Sequence, residues 1–157
     1  RVVKDLNGLS EAEFIELIRA DFIVEEVDKS AKPTVRNTFG MYLADKWYSL
    51  ALNNPAPSGG SPVDRLDISL LTSRLLEPVL GIGDPRLDPR IDFVGGIRGM
   101  IELEKRVDSG EWAVAFALFP TSIIELMSVA DAKEIMPPKS TWFEPKLADG
   151  MISLMLD

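Results

Sequence analysis

The fold is decided by the stretch Trp112-Ala113-Val114-Ala115-Phe116-Ala117-Leu118-Phe119, which is predicted to be a strand buried on both faces. Large and small side chains alternate along it, and a period of two places them on opposite faces of a sheet. The large residues are Trp112, Val114, Phe116 and Leu118. The alanine face predicts a closely packed helix, although it would also leave room for a ligand.

A second short strand, at residues 91–94, precedes this stretch, and a glycine-rich turn and a helix lie between the two. The helix is indicated by Met100, Leu103 and Val107, which repeat at helical spacing. A strand–helix–strand unit of this kind favours a right-handed crossover between adjacent parallel strands. The unit therefore predicts a βαβ element within the sheet.

An antiparallel hairpin is predicted for residues 39–43 and 46–52, around Ala44-Asp45. Its Trp47 and Tyr48 offer either an aromatic platform for a ligand or contact area for a core. Two helices are predicted to begin at capping boxes, Ser10 with Glu13 and Ser122 with Glu125. The second is predicted to bury Ile123, Leu126, Met127 and Ala130. A third helix, with Ile68, Leu71, Leu75 and Val79 on one apolar face, is predicted to have Asp67 as its N-cap.

These elements predict one α+β domain over residues 1–157, with a mixed β-sheet, an antiparallel hairpin, a βαβ unit and about four helices. Residues 53–62 contain three prolines and two glycines, and they are predicted to be a flexible surface loop. The apolar residues 151–156 are predicted to form a last buried strand.

Composition restricts the chemistry of this chain of 157 residues. It has 17 basic and 25 acidic residues, a net charge of −8, and neither cysteine nor histidine. A negative charge disfavours binding to nucleic acid and to anionic membranes, so neither partner is expected. A metal site is not expected, because the usual nitrogen and sulfur ligands of zinc are missing. No transmembrane run or signal peptide is visible, and a cytoplasmic location is expected.

A first candidate anion site lies at Gly95-Gly96-Ile97-Arg98-Gly99, between the short strand and the helix. A glycine turn before a helix can direct free backbone N–H groups at an anion, and Arg98 could add a guanidinium. Asp92 is the nearby candidate for acid–base catalysis. The alternative is a tight structural turn in which Arg98 forms a salt bridge.

A second candidate site lies in the stretch Met136-Pro137-Pro138-Lys139-Ser140-Thr141-Trp142-Phe143-Glu144-Pro145-Lys146. The two prolines predict a stiff, extended approach to Lys139, Ser140 and Thr141, which could bind an anion through one charge and two hydroxyls. Lys146 could add a second charge, and Glu144 is a second catalytic candidate. The alternative is a proline-rich connection whose lysines point into water.

Several long strings of this chain resemble a bacterial family called domain of unknown function ten-fifteen. They are Arg1-Val2-Val3-Lys4-Asp5-Leu6-Asn7-Gly8, Phe39-Gly40-Met41-Tyr42, Asp84-Pro85-Arg86, Arg90-Ile91-Asp92-Phe93-Val94-Gly95-Gly96-Ile97-Arg98-Gly99, Val107-Asp108-Ser109-Gly110-Glu111, Phe119-Pro120-Thr121-Ser122 and the proline-rich stretch above. The resemblance implies that the chain is the C-terminal part of a longer protein. It also implies a front half related to the ParB-like group, whose Asp-Gly-His-His-Arg motif this chain lacks.

Two functions follow from these observations. The first is binding of a small anion, such as a phosphate, nucleotide or carboxylate, as part of a metabolic enzyme. The alternative is a noncatalytic structural or protein-interaction module. The expected partners are the small anion and the N-terminal part of the same protein. The sequence identifies no reaction, cofactor or oligomeric state.

Overall fold

The computed structural model describes residues 1–54 and 60–141, whose strands form one six-stranded sheet. The strands are β1 (Val2–Val3), β2 (Phe22–Val27), β3 (Thr38–Leu43), β4 (Lys46–Leu52), β5 (Ile91–Asp92) and β6 (Val114–Leu118). The helices are α1 (Glu11–Ile18), α2 (Asp67–Leu71), α3 (Gly99–Asp108) and α4 (Ile123–Asp131). The strand order is β2-β4-β3-β6-β1-β5, and the predicted α+β class is confirmed.

The observed topology differs from the predicted one, because strand β1 lies between β5 and β6. Its Val2 is opposite Asp92 on one side and Ala115 on the other, and both pairings are antiparallel. Strands β5 and β6 therefore run in the same direction, but they are not neighbours. Every strand pair among the described residues is antiparallel, so the predicted mixed sheet with adjacent parallel strands is corrected. A two-residue strand carries too little periodicity to reveal this insertion.

The predicted hairpin is present as β3 and β4, joined by Ala44 and Asp45. Both turn residues have positive φ, 48° and 60°, which is typical of the two-residue type I′ turn. Each face of the hairpin packs into a different buried cluster. Phe39 and Met41 lie in one buried cluster, and Trp47 lies in the other, where α3 covers it.

Helices cover both faces of the sheet. On one face, α1, α2 and the helical turn after α2 contribute Phe14, Ile18, Leu71 and Leu75 to the larger core cluster. On the other face, Leu103 and Val107 of α3 pack with the alanines of β6. The prediction that a helix packs on the alanine face is therefore confirmed.

Both predicted capping boxes are present. In α1, the Ser10 amide donates to Glu13 at 2.9 Å, and Ser122 and Glu125 form the same arrangement in α4. Helix α4 differs from the prediction in its orientation. Ile123 and Met127 were expected to be buried, but they are 74% and 59% exposed, and α4 instead buries Val129.

Two further predictions, for Trp112 and for Asp67, differ from the structure. Trp112 lies before β6 begins, so it packs with Ala115 and Ala117 and not with Val114. Asp67 does not cap α2; its carboxylate accepts the Asn37 amide at 3.0 Å. The described residues include only the ends of the predicted loop 53–62. The predicted strand at 151–156 lies outside them.

Candidate functional site

The glycine turn predicted to bind an anion is a short helical turn, Gly96–Arg98, directly before α3. The Arg98 amide donates to Gly95 within the turn at 3.0 Å. The Arg98 guanidinium lies 3.5 Å from the Glu102 carboxylate one helical turn later, with its side chain largely exposed. These contacts match the alternative interpretation, a tight structural turn in which Arg98 forms a salt bridge. The anion-binding role of Gly95, Gly96 and Arg98 stays a prediction.

Asp92, the predicted acid–base residue, is held by two contacts. One carboxylate oxygen accepts Arg106 of α3 at 3.0 Å, and the other accepts the Phe93 amide at 2.7 Å. The side chain is about half exposed. Asp92 therefore joins the sheet edge to α3, and its catalytic role stays a prediction.

The proline-rich stretch is described as far as Thr141. The Ser140 hydroxyl donates to the Pro137 carbonyl, and the Ser140 carbonyl accepts the Thr121 hydroxyl at 3.0 Å. Lys139 is exposed and has a left-handed backbone, with φ of 56°. Thr141 is also exposed, and the predicted site residues Glu144 and Lys146 lie outside the described residues.

The first part of this stretch forms one wall of a cleft of about 300 Å³, a volume near the lower end for small-molecule sites. Pro137 and Pro138 lie opposite hydroxyl-bearing residues of α2 and of the helical turn that follows it. The polar residues that line the cleft include Arg1, Ser69, Thr72 and Ser73. None of the predicted site residues in the described ranges lines it.

Arg1 is the positively charged residue that lines this cleft, and it is only 7% exposed. Its Nη2 atom donates to the Pro138 carbonyl at 3.1 Å, and its guanidinium lies 4.6 Å from the centre of the Phe93 ring. Its Nη1 atom is buried and has no hydrogen-bond partner within residues 1–54 and 60–141. Burial lowers the pKa of Arg1 to about 10, so the group still carries its charge at neutral pH.

The hydroxyl groups of Thr72 and Ser73 lie where the helix geometry changes. Helix α2 continues as a π-helical turn, Thr72–Leu76, in which the Glu77 amide donates to the Thr72 carbonyl at 2.9 Å. Such turns occur frequently at functional sites, because they displace side chains from the regular register. The Thr72 hydroxyl donates to Ile68 at 2.8 Å, which leaves its oxygen lone pairs available as acceptors.

The sequence interpretation missed Arg1, Ser69, Thr72 and Ser73. A signal was present in the helix, because hydroxyls at positions i, i+3 and i+4 fall on one face. That face lies beside the apolar stripe from which the helix was predicted. No local signal marks Arg1, because its burial depends on contacts with Phe93 and Pro138, far along the chain.

The described part of the chain lacks two further kinds of feature. It contains no helix long and apolar enough to cross a membrane. It also contains no group of three or more acidic residues arranged to hold a metal ion.

Comparison with known protein families gives a match over the first part of the chain. Residues 1–69 match the family described as Protein of unknown function (DUF1015). The resemblance predicted from the sequence is therefore confirmed, on those residues. The match includes Arg1 and Ser69 of the cleft, whereas the strings after residue 69 lie outside it. No curated protein and no solved structure matches the chain.

Proposed function

We propose that this domain binds a small anion, and that a phosphate or carboxylate group of the ligand lies at the guanidinium of Arg1. One observation carries the proposal: a buried guanidinium lines a cleft and keeps a hydrogen-bond donor without a partner among the described residues. A buried polar group left unpaired costs about 1–3 kcal/mol, and more when it is charged. An anionic ligand at the guanidinium would offset the cost of burying its charge.

Charge supports the same ligand class. Arg1 forms no ion pair with any residue in the described ranges, although the chain as a whole carries a net charge of −8. A local positive site in an acidic protein can still attract a small anion. The small volume of the cleft favours a ligand of metabolite size over a whole nucleotide.

The proposal keeps Lys139 as a neighbour of the site and not as its centre. Lys139 directly follows the Pro137-Pro138 wall, is exposed, and makes no ion pair in the described part of the chain. Its charge could steer the ligand toward Arg1. Membership of a metabolic enzyme, with Asp92 or Glu144 as the acid–base group, and a cytoplasmic location are further parts of the proposal.

Calorimetric titration with inorganic phosphate and with propionate tests the proposal. Arg1→Gln and Lys139→Gln each remove one positive charge, so they form a matched pair. Since a hydrogen bond to a charged group contributes about 1.5–3 kcal/mol, we expect Arg1→Gln to weaken binding roughly 10- to 100-fold. We expect Lys139→Gln to change it less than about threefold, as for an exposed charge.

A second variant protects the test against misfolding of Arg1→Gln. Ser69→Phe should fill the cleft while leaving Arg1 in place, and it should also abolish binding. Binding that survives Arg1→Gln and Ser69→Phe but is lost in Lys139→Gln would place the site in the proline-rich stretch. Absence of binding to the unaltered chain would contradict the proposal, and the noncatalytic module would then be the better account.

A further inference from the structure

The cleft around Arg1 contains groups of both signs. Besides Arg1, it is lined by Asp64, which lies in the helical turn Val63–Arg65 before α2. Asp64 is exposed, its carboxylate makes no hydrogen bond or ion pair with the described residues, and Arg1 does not pair with it. Among the described residues, neither Arg1 nor Asp64 forms an ion pair, so the two opposite charges line the same cleft without neutralising each other.

We infer that the ligand of this cleft is a free α-amino acid, whose carboxylate lies at Arg1 and whose ammonium group lies at Asp64. This inference rests on the proposed function and names its substrate class. A ligand with both charges satisfies the two side chains at once. A ligand with anionic groups at both ends would place one anionic group beside the Asp64 carboxylate. Such a ligand would be disfavoured, because like charges at close range repel.

The hydroxyl of Thr72 fits the same orientation. Its proton is donated to the Ile68 carbonyl, so the oxygen offers only acceptor lone pairs to the cleft. An ammonium group has three donors and no acceptor, so it can use Asp64 and Thr72 together. A carboxylate is an acceptor only, and the guanidinium of Arg1 offers N–H donors to it.

The remaining walls are apolar. Ile68, Pro85 and Pro137 line the cleft beside the charged groups, and Ile68 is buried. An apolar side chain can gain about 25 cal/mol for each Å² of surface removed from water against such walls. The inferred ligand is therefore an amino acid with a small or medium apolar side chain.

The experiment compares each amino acid with the same molecule lacking the amine. Glycine, L-alanine and L-leucine are titrated into the full chain beside acetate, propionate and 4-methylpentanoate, with calorimetric detection. At least one amino acid should bind ten times or more tightly than its partner acid. Asp64→Asn should remove that preference without weakening the partner acid, whereas Asp28→Asn, an exposed carboxylate outside the cleft, should leave it unchanged.

The outcomes separate this inference from the proposed function. Equal binding of each amino acid and its partner acid in the unaltered chain would overturn the amino-acid assignment and leave the anion site standing. Preference for the amino acid that persists in Asp64→Asn would also overturn it. Failure of the acids, the amino acids and inorganic phosphate alike would contradict the proposed function itself.

Discussion

Gly40 lies so close to the carbonyl group of Ala31 that a Cβ atom added to Gly40 would be 1.9 Å from the Ala31 oxygen. The contact joins β3 to the segment between β2 and β3. Because the obstructing atom belongs to the backbone, it cannot move aside as the end of a long side chain could. The position therefore requires glycine for space.

Gly40→Ala should destabilise the protein by about 1–3 kcal/mol or more, the cost of forcing extra volume into a packed site. Urea unfolding followed by circular dichroism measures the change. Gly83→Ala is the matched control, since a Cβ there meets nothing within 4 Å and its φ is not positive. Equal stability of the two variants would show that the Ala31 segment moves freely.

The two Asp-Pro-Arg triplets at residues 84–86 and 88–90 should respond differently to the same substitution. In both, the aspartate accepts the amide and the guanidinium of the arginine two residues later. Arg90 also donates to the carbonyls of Leu80 at 3.1 Å and Gly81 at 2.9 Å, whereas the Arg86 side chain, among the described residues, makes only its exposed pair with Asp84.

Arg90→Lys should therefore cost about 1–2 kcal/mol of unfolding free energy, because an ammonium group cannot reproduce the forked contacts with two carbonyls and Asp88. Arg86→Lys should stay within about 0.5 kcal/mol, as expected for a surface pair. Thermal and urea unfolding of both variants provide the comparison. A similar loss in the two would mean that the carbonyl contacts of Arg90 contribute little.

Helix α3 is held on the hairpin by a hydrogen bond from the Trp47 indole to Glu104, at 2.7 Å. Trp47 is buried, so Glu104→Ala would leave its N–H group without this acceptor, at a cost of about 1–3 kcal/mol. Glu104→Gln keeps an acceptor oxygen and should cost less than half as much. Urea unfolding gives the energies, and near-ultraviolet circular dichroism reports the environment of Trp47.

Asp67 predicts a dependence of stability on pH. Burial raises the pKa of its carboxyl above the ordinary value of 3.8, and nearby Glu125 acts in the same direction. The hydrogen bond from Asn37 and the charge of Arg36 oppose this shift. The folded state therefore binds the proton of Asp67 more tightly than the unfolded state does. As pH rises from 3.8 through the folded pKa, this proton is lost and the protein becomes less stable.

Asp67→Asn removes this titration and keeps an oxygen that can accept the Asn37 amide. The stability of Asp67→Asn relative to the unaltered protein should therefore increase between pH 4 and pH 7. Urea unfolding at both values measures it, with Asp28→Asn as an exposed control. A relative stability that falls over this range would contradict the raised pKa.

The sequence predicted those elements whose signals are local. Ser10 and Ser122 are each followed three residues later by a glutamate, which is the spacing of a capping box, and both helices begin after these serines. These starts could be predicted because the contacts span only three residues. The hairpin was equally local, since a two-residue turn fixes its register. The position of β1 could not be predicted, because two valines pair with strands roughly 90 and 110 residues away.

The candidate site was predicted less well, for the same physical reason. Pro137 and Pro138 form a cleft wall, but Pro138 and Lys139 lie in a turn and not in the extended segment expected before Ser140. The charge that faces them comes from Arg1, at the other end of the chain. The orientation of α4 was also missed, because Ile123, Met127 and Val129 are all apolar and only tertiary contacts select which of them is buried.

The central claim, that an anion binds at Arg1, is tested most directly by mapping where the ligand binds. Propionate is titrated into the ¹⁵N-labelled chain, and the backbone amide resonances are followed by two-dimensional NMR. We expect the largest saturable shifts at Ser69, Thr72 and Ser73, and we expect Arg1→Gln to abolish them. Saturable shifts centred on Gly96 and Arg98, with none at residues 69–73, would contradict the claim and favour the glycine turn.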